Sequence, residues 1–189
     1  MGGHQLRVMR DCGGKDLPGL GVYFENTLKK PRRSLMIDTP QITQTAGLHT
    51  AFVHLTVPRE EIRNVMGPGL DEVRTAVAAQ GIAATGPWFT HHLRMEPGVF
   101  DFEICVPVAA PIDPVGRVES GQWPVTTVAR TVFHGDYEGL GAAWGEFKAW
   151  IAAKGYTPRP DLWECYIAGP ESGADPSSWR TELNWPLVD

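Results

Sequence analysis

Glu164 lies in Trp163-Glu164-Cys165-Tyr166-Ile167-Ala168, a run that reads as a β-strand. Alternation puts Glu164 and Tyr166 on one face and Cys165 and Ile167 on the other. A carboxylate on such a strand either faces water or enters a pocket. In a pocket it is costly to desolvate unless it meets a cation or a hydrogen-bond donor. Desolvation would also raise its proton affinity and suit it to general-base work. Glu182, in Arg180-Thr181-Glu182-Leu183, is the second candidate carboxylate; Arg180, on the same strand face, is its expected partner, and Glu103 is its counterpart in the first half. Trp88 and Phe89 (after Gly86-Pro87), Trp123, Tyr137 and Tyr166 lie on strands or at their ends. They are candidate pocket walls whose π faces attract cations. The competing readings are core packing for each aromatic, and a wet sheet face or a surface ion pair for the two carboxylates.

Other chemistries find little support. His91 and His92 are adjacent, so on a strand they point to opposite faces and do not share a metal. His54 and His134 occupy similar places in the two halves but lack ligand partners in sequence. No Walker loop, GxSxG elbow or dinucleotide fingerprint is present, so neither a metal nor a cofactor is expected.

The elements that must position these residues follow from periodicity. Ala51 to Val57 reads as a strand ended by Pro58. A helix with Ile62, Val65 and Met66 on its apolar face follows, with a break expected at Gly67-Pro68-Gly69. A second helical piece then carries Leu70, Val73 and Val77, with Gly81 as its cap. Phe100 to Val108 alternates as a half-buried strand, with Glu103 and Cys105 on its second face. The second half repeats the order. Val125 to Phe133 is a strand, Asp136 a helix cap, and Leu140, Trp144, Phe147 and Ile151 a core stripe closed by Gly155. Trp163 to Ala168 and Trp179 to Leu187 are strands. Ala78-Ala79-Gln80-Gly81 matches Ala152-Ala153-Lys154-Gly155, and Glu103 to Val108 matches Glu182 to Leu187, in the same order. The expected fold class is therefore α+β: two pseudo-symmetric strand-helix-strand-strand units with antiparallel sheets. One such unit has too little core alone. Two can bury their inner faces together, with a central ligand groove at the seam.

Composition sets the outer limits. The chain has 189 residues, 42% of them apolar and 21% charged, which suits one globular domain. No apolar run is long enough to span a membrane, and no secretory signal is visible. Cys12, Cys105 and Cys165 are an odd, scattered set that fits a reducing cytoplasm better than a disulfide framework. Residues 1–38 carry a net charge of +3 and no sustained periodicity, and read as a basic, solvated tail that includes Lys29-Lys30-Pro31-Arg32-Arg33. Residues 39–189, with halves at about 39–112 and 113–189, carry −8. Such a body repels a phosphate backbone and favours cationic small molecules.

Several segments taken in order carry a resemblance. They are Phe133-His134-Gly135-Asp136-Tyr137-Glu138-Gly139-Leu140, Trp144, Trp150-Ile151, Trp163-Glu164-Cys165-Tyr166 and Trp179-Arg180-Thr181-Glu182-Leu183. With Val65 to Gly69, Gln80-Gly81-Ile82, Gly86-Pro87 and Phe102 to Val108, they resemble the GyrI-like small-molecule-binding domain, the effector-binding domain of AraC- and MerR-type regulators. The resemblance covers about residues 41–188. It implies a pseudo-symmetric fold around a groove, with Glu164 in that groove against the cationic or polar part of an amphipathic ligand. It also implies two alternatives: hydrolysis of strained electrophilic toxins with a groove carboxylate assisting water, and inhibition of a protein partner. The chain departs from the family pattern at Asp136, where many members have Pro, and at Cys105, where many have Gly. Alternation is expected to put Cys105 on the groove side.

Overall fold

The computed structural model describes residues 37–173 and 175–188. The basic tail expected over residues 1–38, with Cys12, lies outside the described residues except at its end. There Ile37 is buried and bridges Phe133, and the Asp38 N–H donates to Val132 O at 2.9 Å, so these two residues belong to the sheet edge.

Ten elements follow in order: β1 (Gln41–Gln44), β2 (Leu48–Pro58), α1 (Ile62–Ala79), β3 (Phe89–Glu96), β4 (Val99–Val108), β5 (Val118–Trp123), β6 (Thr127–His134), α2 (Leu140–Ala153), β7 (Leu162–Ala168) and β8 (Arg180–Pro186). The strands form one antiparallel sheet in the order β1-β6-β8-β7-β3-β4-β2-β5. The order reads the same outward from its centre: β3-β4-β2 on one side and β7-β8-β6 on the other, each ending in an added edge strand. The duplicated units therefore join edge to edge through β3 and β7, and do not press two sheets face to face. The edge strands cross over. β1 precedes the first unit but pairs with β6, and β5 pairs with β2, so the sheet does not follow a boundary near residue 112.

Both helices cover the same face of the sheet. Thr90 pairs with Ile104 on one side and Glu164 on the other, and paired residues in antiparallel strands share a face. Ile104 packs in the cluster under α1 with Val53, Phe102 and Val73, while Phe133, Phe147, Ile151 and Leu183 pack under α2. The break expected at Gly67-Pro68-Gly69 is absent, and α1 runs through it. Pro68 is exposed, so the carbonyl deprived of its partner can turn to water. Gly69 is buried, and a Cβ there would come within 2.5 Å of Ile104 Cδ1, so its missing side chain lets the helix lie close on the sheet. Gly81 and Gly155 end their helices with φ of 66° and 77°, the left-handed geometry that glycine adopts without steric cost. No helix of the described residues is long and apolar enough to cross a membrane.

Candidate functional site

The centre of the helix-covered face is polar. β7 places Glu164 and Tyr166 there, β3 places Thr90 and His92, and α2 brings Trp144 over them. The Trp144 indole N–H donates to Glu164 Oε1 at 2.6 Å and the Tyr166 hydroxyl donates to Glu164 Oε2 at 3.0 Å. Glu164 is 8% exposed. Among the described residues no Lys or Arg is ion-paired with it. Behind it the network has a direction. A carboxylate only accepts, so Tyr166 must spend its proton on Glu164 and accept one from Thr90 Oγ1, 3.1 Å away. Thr90 then accepts from His92 Nε2 at 3.2 Å. This order makes His92 the Nε2–H tautomer, and its buried Nδ1 has no partner among the described residues. Burial holds His92 below its ordinary proton affinity despite the nearby Glu164 charge, which agrees with a neutral ring.

Aromatic rings close over this carboxylate. Trp88 stacks on Tyr166 with centroids 4.1 Å apart, Tyr137 meets Tyr166 edge-on at 5.7 Å, and Trp179 lies 5.1 Å from Tyr137. A side chain at Gly169 would run into Tyr137 Oη at 2.6 Å. Burial, with Glu171 and Glu164 adding to it, pushes the Tyr137 hydroxyl up to about 12, so it remains a donor at neutral pH. Beyond Trp88 a cavity of about 220 Å³ runs under α1, lined by Val77, Ala78, Ile82, Ala84 and Val106, with Arg74 alongside.

The face that neither α1 nor α2 covers is organised differently. Trp123 on β5 and Trp163 on β7 stand four strand spacings apart, about 19 Å in a flat sheet. Their rings nevertheless meet at 4.8 Å, and Trp123 also touches Phe89 at 4.8 Å and His91 at 4.7 Å. The sheet therefore curls into a trough, burying Phe89, Cys105, Val128 and Trp163 with no helix of the described residues above them. In the trough His91 is held between Glu103 Oε2 (3.0 Å from Nδ1) and Asp161 Oδ2 (3.1 Å from Nε2). Burial disfavours its charged form, but the bonds to Asp161 and Glu103 outweigh it and the net direction is upward; the same His91 bond lowers Asp161.

His91 and Glu103 belong to the first unit and Asp161 to the second, so this contact ties the units together. A raised His91 stabilises the fold fully below the ordinary histidine value of about 6.5, and that contribution is lost as pH rises through the raised value. The lowered Asp161 adds stability that is lost as pH falls through its own value. We expect urea unfolding to show the protein losing about 1 kcal/mol more between pH 6 and pH 9 than its His91→Gln variant. Equal losses would mean that the contact carries no net stability.

The residues singled out from sequence divide between the two faces. Glu164, Tyr166, Tyr137 and Trp88 come together under the helices. Trp123, Phe89 and Glu182 lie on the trough side, so Trp123 shares no cavity with Glu164. Cys105 is also on the trough side, because its partner Phe89 alternates with Thr90, which faces the helices. Glu182 pairs with Arg130 (3.4 Å) and accepts from Asn184 (3.0 Å); Arg180 instead donates to the carbonyls of Ser177 and Trp179. Thr90, His92 and Gly169 gave no sequence signal, and the Trp144 indole was hidden in a core stripe. Among the described residues no group of three His, Cys, Asp or Glu side chains could hold a metal ion.

The profile of the GyrI-like small molecule binding domain family matches residues 39–188. No curated protein matches the chain. The EcmrR C-terminal domain superposes with a TM-score of 0.71 at 20% identity, over 80% of this chain and 98% of that one. EcmrR in its DNA complex gives 0.73 at 20% identity, over 83% of this chain and 59% of that one, so the chain spans little more than half of that protein. SAV2435 bound to tetraphenylphosphonium gives 0.55 at 15% identity, over 80% of this chain and 94% of that one.

Proposed function

This chain belongs to the GyrI-like small molecule binding domain family, and from there we propose that it holds an amphipathic organic cation against Glu164, between α1 and α2. The observation that carries this reading is the state of that carboxylate. It is buried, it is bonded by two neutral donors, and among the described residues no basic side chain is ion-paired with it, so its negative charge is available to a ligand. Trp88, Tyr137 and Tyr166 supply π faces for the same cation. The net charge of −8 over residues 39–189 favours its approach. SAV2435, of the same fold, binds a lipophilic cation, which agrees with this reading. The role is sensing or sequestration in a reducing cytoplasm, which suits the free thiols of Cys105 and Cys165. Tryptophan quenching by tetraphenylphosphonium and rhodamine 6G tests it directly. Saturable quenching is expected, with uncharged analogues of similar shape at least about tenfold weaker. Quenching no stronger than that of an unrelated acidic protein overturns the proposal.

A further inference from the structure

The trough on the face away from α1 and α2 is chemically unlike the pocket at Glu164 and is separated from it by the sheet. We propose that it binds flat organic cations bearing N–H donors, of the amidinium, guanidinium or aminopyridinium type, in exchange for the proton of His91. A cavity of about 260 Å³ opens there, walled by Phe52, Trp123 and Trp163, and both Glu103 and Asp161 line it. The chemistry it accepts is already displayed by the protein's own imidazole. Each ring nitrogen of His91 meets a carboxylate oxygen, at 3.0 and 3.1 Å. Carboxylates only accept, so with both bonds made the ring donates twice and is an imidazolium. Trp123 stands nearly perpendicular to it at 4.7 Å and Trp163 at 6.3 Å. A flat cation with two N–H donors is thus already held by two carboxylates against two indoles.

Charge decides how a second cation enters. Glu103 and Asp161 contribute two negative charges, His91 one positive, and Arg159 at the cavity wall another. A ligand cation added to this neutral set gains little. If His91 gives up its proton as the ligand takes its place on the carboxylates, one positive charge enters and one leaves. Among the described residues the other ionisable groups of this face are engaged elsewhere: His54, which pairs with Glu103 across β2 and β4, is bonded to Asp101 at 2.6 Å, and Glu182 on β8 is ion-paired with Arg130 on β6 at 3.4 Å. Cys105 on β4 and Cys165 on β7 are neutral thiols, pushed up by burial. His92 lies on the opposite face, and Glu119, the one titratable residue of β5, is not among the cavity's walls. Binding should therefore strengthen as pH rises towards the His91 titration and level off above it.

Benzamidinium and its neutral isostere benzamide test this by calorimetry in two buffers of different ionisation enthalpy. Benzamidinium is expected to bind, releasing about one proton per ligand at low pH and none well above the His91 titration. Benzamide should bind at least about tenfold more weakly. Glu103→Gln combined with Asp161→Asn should weaken benzamidinium by about tenfold or more, while Glu164→Gln leaves it unchanged. His91→Gln keeps both carboxylates and removes the competing proton, so its binding should lose pH dependence; this arm holds even where the double variant fails to fold. No binding of benzamidinium, equal binding of benzamide, or binding without proton release overturns the proposal. Loss of benzamidinium in Glu164→Gln alone overturns it too, by assigning the ligand to the helix-covered face.

Discussion

Glu164→Gln should weaken lipophilic cations roughly 30- to 150-fold, about 2–3 kcal/mol, and spare uncharged ligands of the same shape within a few-fold. The fold should survive because the network can reverse. The Trp144 indole only donates, so it keeps the new amide's oxygen at 2.6 Å and turns the amide nitrogen towards Tyr166. Tyr166 then accepts from Gln at position 164 and donates to Thr90. Thr90 donates to His92 Nε2, and the His92 proton moves to Nδ1, the atom that has no partner in the unaltered protein. Nitrogen NMR of His92 should therefore show the opposite tautomer in the variant. A hydrolase using Glu164 as general base would respond otherwise: ligand binding would stay largely intact and turnover would fall by about 10²–10⁴. Unchanged binding, with no turnover to lose, would place the charge of Glu164 outside any ligand site.

Much of this was legible because it is local. The alternation of Phe100 to Val108 and the stripe of Phe147 and Ile151 fix their elements without reference to the rest of the chain. Gly81 and Gly155 mark helix ends because their backbone needs the left-handed region. The face of Glu164 and Tyr166 follows from the same period of two. What was not legible depends on partners distant in sequence. The strand β1 has four residues and exists because β6 offers it an edge. Trp123 reaches Trp163 only because the whole sheet curls, a property no window of sequence carries. The face of Cys105 relative to Glu164 is set by register across β4, β3 and β7, not by either strand alone. Arg130 meets Glu182 from another strand, beside Asn184 rather than nearby in sequence, so no spacing along the chain marks the pair. Pro68 misled in the opposite direction: its local rule is sound, but it falls on the wet side of a helix whose other side is anchored by Leu70 and Val73.

Trp88→Ala should speed the association of rhodamine-type cations roughly tenfold. Glu164 and Tyr166 are both buried, and the Trp88 ring lies flat on Tyr166 at 4.1 Å, so a ligand of this kind must displace aromatic cover before it reaches the carboxylate. A stacked pair of rings contributes about 0.5–1.5 kcal/mol, and its upper end corresponds to about tenfold in rate when it must be broken first. Room for the displaced indole exists next to it, in the 220 Å³ cavity between Val77, Ile82 and Val106, of which Trp88 is itself a wall. The variant also lacks one π face for the bound cation, worth about 2 kcal/mol when desolvated, so dissociation should accelerate at least as much as association. The equilibrium affinity then falls modestly while both rates rise, a pattern that loss of a wall alone does not produce. Trp88→Phe, which keeps a smaller ring on Tyr166, should lie between the two in stopped-flow traces. An association rate unaltered in Trp88→Ala would mean that Trp88 does not cover the route to Glu164, and that the cation enters past Tyr137 and Trp179 instead.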